Sequence, residues 1–88
     1  MRITRAPKGT EVILFFDDHV EDGDKPMKCI VRGKLISRGP KFVTVESWSC
    51  VGDKETNAGN NKTFTILTSC VRGYCIVNAK WIGEDPYG

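Results

Sequence analysis

Two alternating runs of residues flank Arg38-Gly39-Pro40-Lys41, and together with the apolar runs of residues 63–82, which are expected to organise the core, they narrow the fold of this chain. Glycine tolerates positive φ and proline presets its own, so the tetrapeptide is a strong turn signal. Before it, residues 27–37 place Cys29, Val31, Gly33 and Leu35 on one parity and Lys28, Ile30, Arg32, Lys34 and Ile36 on the other. A period of two marks a half-buried strand, and the first set is expected to face inward. After the turn, residues 42–51 alternate Val43, Val45, Ser47 and Ser49 with Phe42, Thr44, Glu46 and Trp48. The spacing predicts a hairpin, and Gly33 predicts a bulge or bend in its first strand.

Three further runs follow the same logic. Residues 11–16 are short and rich in branched and aromatic side chains, which predicts a strand buried on both sides. Residues 63–82 hold two apolar runs meeting at Val71-Arg72-Gly73-Tyr74, read as a second hairpin with Arg72-Gly73 as a two-residue turn. That register sets Cys70 opposite Cys75, Thr68 opposite Val77, Ile66 opposite Ala79 and Phe64 opposite Trp81. Phe64, Ile66, Cys70, Cys75, Val77, Ala79 and Trp81 are then expected inward. Thr65, Leu67, Ser69, Tyr74, Ile76, Asn78 and Lys80 are expected on the outer face. Residues 1–10 read as an irregular or edge-pairing lead-in, 17–26 as a charged loop, 52–62 as a polar loop, and 83–88 as a tail capped if Tyr87 packs back.

No stretch shows helical periodicity with caps, and no repeat of 20–50 residues is visible. At 88 residues the chain is expected to form one domain, residues 1–88, with a single core. Its fold class is all-β, a small five-stranded barrel or compact sandwich. The long charged loop after the first strand, the bent second strand and the two hairpins resemble the general architecture of SH3-like and Sm-like barrels. The resemblance lies in strand order and loop lengths. The acidic loop and Asp85-Pro86-Tyr87 are similar to SH3 features, whereas the usual tryptophan pair and the early alanine-leucine-tyrosine-aspartate segment are absent.

The formal charge of +2 gives no general attraction to nucleic acid or membrane. Its distribution is uneven: residues 17–24 hold five acids and no Lys or Arg, and 25–45 hold six basic residues and no acid. No apolar run is long enough to span a bilayer and a polar segment follows Met1, so a soluble, cytoplasmic protein is expected. Cys29, Cys50, Cys70 and Cys75 are then expected as reduced thiols, with Cys70 and Cys75 close enough in the predicted register to pair under oxidation. No Cys-x-x-Cys spacing suggests zinc, and neither cofactor nor metal is expected.

Chemistry has few places to reside. Lys28, Arg32 and Lys34 share the predicted outer face with Phe42, Thr44 and Trp48, and Arg38 and Lys41 extend it at the turn. Cations neutralise phosphates and exposed rings stack on unpaired bases, so this set is the candidate nucleic-acid-binding surface. The acidic loop with His19 offers metal ligands, but its spacing fits no calcium loop. With one histidine, no nucleophile elbow and no phosphate-cradling loop, catalysis is not expected. The expected function is a non-catalytic module binding single-stranded nucleic acid. The alternative is a protein-interaction or oligomeric assembly module using Leu67, Tyr74 and Ile76, such as an accessory protein of a virus or mobile element supplies.

Overall fold

A computed structural model describes residues 1–18, 27–48 and 61–88. Within them the chain forms β1 (Glu11–Asp18), β2 (Met27–Arg38), β3 (Phe42–Trp48), β4 (Asn61–Leu67), a 3-10 turn (Thr68–Cys70), β5 (Val71–Ile76) and β6 (Ile82–Gly83). The six strands belong to one antiparallel sheet in the order β4-β3-β2-β1-β5-β6, not closed into a barrel. The all-β class holds; barrel closure is not seen.

The first predicted hairpin is present. β2 and β3 pair across the Gly39-Pro40 turn, with Leu35 opposite Val45, and Leu35, Val43 and Val45 are fully buried. The outward parity of Lys28, Ile30, Arg32, Lys34 and Ile36 is as expected, all five being exposed. A bulge does occur in β2, between Leu35 and Ser37. Gly33 answers a different need: a Cβ there would overlap the Glu46 carbonyl, so it permits the close approach of β3.

β1 is central, with β2 on one side and β5 on the other, and both of its faces are covered. Val12 and Leu14 point into the main core, while Phe15 on the opposite face is only 7% exposed. The predicted lead-in has no regular element but contributes to the core. Ile3 and Ala6 are buried, the Arg5 amide donates to the Tyr74 hydroxyl at 3.2 Å, and the Arg38 guanidinium donates to the Ile3 and Thr4 carbonyls at 3.0 and 2.9 Å.

The predicted hairpin over residues 63–82 is not formed. β4 pairs with β3, Phe42 opposite Leu67, and β5 pairs with β1, Ile13 opposite Cys75. The chain crosses from the β4 edge to β5, between β1 and β6, through the 3-10 turn. Thr68, 2% exposed, anchors that turn: its amide donates to the Lys41 carbonyl and its hydroxyl to the Gly39 carbonyl, each at 2.8 Å.

Arg72-Gly73 is strand, because β6 and Glu84 pass directly over it. A Cβ on Gly73 would overlap the Glu84 carbonyl. The reversal occurs later, where Asn78 takes φ 71° and the Ala79 amide donates to the Ile76 carbonyl at 2.8 Å. Asparagine tolerates that left-handed conformation better than most residues.

The inward and outward sets change accordingly. Ile66 and Cys75 are buried as expected, but Phe64 is 39% exposed, Ala79 is exposed, and Cys70, Val77 and Trp81 are half-buried. Tyr74, expected outside, is 1% exposed in the core. Cys70 lies in the 3-10 turn and Cys75 opposite Ile13, so the two are not the directly opposed pair that the hairpin register required.

Candidate functional site

The open side of the sheet holds a concave surface. The end of β1 supplies Phe16 and Asp18, the start of β2 supplies Cys29, Ile30 and Val31, and β4 supplies Phe64, Thr65 and Ile66, together enclosing about 340 Å³. A second cavity of about 240 Å³ adjoins it and runs on past Leu67 and Cys70, with Asp17 at its rim. Phe16, Asp18, Thr65 and Ile66 line both, which makes one groove between β4 and the β1–β2 ends.

Local sequence explains each wall. β1 slips register against β5 between Phe15 and Phe16, and Phe16 packs partly buried against the main core. In β4, period two puts Phe64 and Ile66 on the core side opposite Val45 and Val43. Ile66 reaches the core, but Phe64, nearer the strand's outer end, is left part-covered at the groove wall. The walls are apolar and the rim is acidic. Burial, with Asp18 and Asp17 nearby, pushes the Cys29 thiol up, so Cys29 enters the groove as a protonated thiol.

On the opposite face of β1 sits Arg72. Its guanidinium lies 5.6 Å from the centre of the Phe15 ring, grips both Glu84 oxygens at 2.6 and 2.9 Å, and reaches Asp17 at 3.1 Å. These bonds hold the arginine in its charged form and depress the Glu84 carboxyl below the usual range. The tail is thereby fastened to β1. Beyond it Tyr87 meets Trp81 edge to face at 6.2 Å, yet remains 73% exposed.

The sequence-predicted basic surface is only partly assembled. Arg32 donates to Glu11 at 2.6 Å, which raises its pKa further. Lys34 stands between Glu11 on β1 and Glu46 on β3, and Lys28 stands opposite Asp17. Each cation thus has a carboxylate beside it on the neighbouring strand. Those acids are distant in sequence, and only pairing brings them in.

Arg38 leaves this face altogether. The bulge shifts its parity to that of Val43, and its side chain is taken up by the Ile3 and Thr4 carbonyls. Lys41 and Phe42 are exposed, Phe42 at 52% beside Leu67 at 45%. Trp48 ends β3 opposite Asn61, and its side chain lies outside the described residues.

Of the predicted partner-binding set, Leu67 is exposed and lines the groove, Ile76 is packed against the core, and Tyr74 is within it. Sequence reasoning missed Phe16, Ile30, Val31 and Phe64 as groove residues. His19, most of the acidic loop and Cys50 lie outside the described residues. No group of three or more metal-ligating side chains occurs among the described residues, nor any helix long and apolar enough to cross a membrane. Neither the family models nor the curated proteins nor the solved structures contain a significant match to this chain.

Proposed function

We propose that this chain is a non-catalytic polypeptide-binding module, an SH3-like or Sm-like sheet left open, that works in a reducing compartment such as the cytoplasm. Its site is the groove between β4 and the β1–β2 ends. One observation carries the reading: an apolar groove runs beside a seven-residue strand whose second edge has no partner among the described residues. An extended segment laid along β4 would complete its backbone hydrogen bonds and place alternate side chains between Phe64, Ile66 and Phe16. Asp17 and Asp18 at the rim favour a segment that also carries lysine or arginine.

The test is fluorescence anisotropy with a labelled extended peptide of alternating valine and lysine, run beside a labelled single-stranded oligonucleotide at two salt concentrations. Saturable peptide binding that Phe64→Glu abolishes is the expected result. Oligonucleotide binding that disappears when Lys28, Arg32 and Lys34 are replaced, with no peptide binding, would transfer the function to the opposite face and to nucleic acid.

A further inference from the structure

The two edges of the sheet are unequal. β6 is two residues long, ends at Gly83, and is followed by the tail that Arg72 holds through Glu84. Such an edge offers almost nothing to pair with. β4 is seven residues long, contains no proline or glycine, and carries no charge from Thr63 to Leu67. Short length, charge and proline are the devices that normally protect an edge, and β4 has only Lys62 near its outer end.

A head-to-tail ring consumes two complementary edges per copy, whereas a two-fold pair consumes the same edge from each. With one edge open among the described residues, two-fold pairing is the arrangement that closes. Period two then fixes the register. For the core-side faces of both copies to stay continuous, residues of like parity must oppose each other. The antiparallel register that satisfies this and pairs every residue of β4 is centred on Phe64.

Centred there, Phe64 meets its own counterpart and Thr63 meets Thr65, so no like charges are opposed. Lys62 of one copy falls beside Ile66 of the other, the residue that shares the groove wall with Asp17 and Asp18. Asp17 is engaged by Arg72, but Asp18 is exposed and has no ion pair among the described residues. The strand therefore carries its own complementary charge.

We propose, on the strength of the polypeptide-binding reading above, that the segment β4 takes is the β4 of a second copy. The pairing is antiparallel and two-fold about Phe64, with Lys62 of each copy against Asp18 of the other. Sedimentation equilibrium of the full chain tests it, with far-UV circular dichroism to verify that each variant is folded. The wild type is expected to show a monomer–dimer equilibrium. Lys62→Glu and Asp18→Lys, both at exposed positions, are each expected to weaken it by about tenfold, and combining them in one chain is expected to restore it. A wild type that is monomeric throughout, or a dimer indifferent to both charge reversals, overturns the proposal. If the wild type is monomeric and the valine-lysine peptide still binds, the second copy is wrong and the polypeptide site stands; if neither associates, both fall.

Discussion

At the scale of single residues, Arg72 and Thr68 decide how the chain is routed. Arg72 stacks over Phe15, pairs with Asp17 and grips Glu84, tying three segments far apart in sequence. Because Glu84 is depressed in the folded chain, its contribution to stability is full above the usual carboxylate range. It is lost as pH falls through the lower folded value. Thermal melts of the wild type and Glu84→Gln as a function of pH are therefore expected to differ at neutral pH and to draw together as pH falls below the ordinary glutamate value of about 4.3. A gap that stays constant with pH would mean that the carboxylate charge is not what fastens the tail.

In the sequence Thr68 reads as one rung of a hairpin. Its hydroxyl bond to Gly39 is invisible in the sequence because 29 residues separate the partners. Gly73's role is hidden for a related reason, since Glu84 lies beyond the reversal at Asn78. Arg-Gly is a plausible turn pair locally, and only the passage of Glu84 above it shows why a glycine in a strand is required there.

At the scale of elements, legibility followed the range of the deciding interaction. β2 and β3 were readable because their alternation and the Gly39-Pro40 turn are local signals, and their burial in Leu35, Val43 and Val45 follows that parity. β1 was readable because a short apolar run covered on both faces needs no register. β4 and β5 were visible as strands but not in their pairing, since adjacency in sequence suggested a hairpin and a three-residue 3-10 turn sent β5 to β1 instead.

The candidate site suffered from the same limit. The groove joins residues of three strands, and the acids that stand beside Arg32 and Lys34 reach them only through β1 and β3. If the 3-10 crossing is what separates the edges, its anchor should matter more than a similar hydroxyl elsewhere. Thr68→Val leaves the Gly39 carbonyl without its buried donor and is expected to cost about 1–3 kcal/mol in chemical denaturation. Thr44→Val, at a half-buried position where the hydroxyl lies 3.5 Å from that of Thr65, is expected to cost less than about 0.5 kcal/mol. Equal effects would remove Thr68 as the anchor.

At the scale of the whole molecule, the sheet is asymmetric. One edge is closed by β6, the tail and Arg72; the other ends in β4 beside an apolar groove. The core takes Ile66 from β4 and its other buried members from β1, β2, β3, β5 and the N-terminal segment, so β4 contributes one side chain to it and keeps its outer edge for a second strand. On the proposed reading β4 is the binding element and β1 the structural one, with different protection expected for each.

Hydrogen–deuterium exchange of the peptides covering β1 and β4, measured at about 1 µM and again at about 100 µM protein, reads that difference directly. The expected result is slow exchange in β1 at both concentrations, and exchange in β4 that is fast when dilute and slows when concentrated. Exchange in β4 as slow as in β1 at the lower concentration, and unchanged at the higher, would contradict an open edge that takes a second strand.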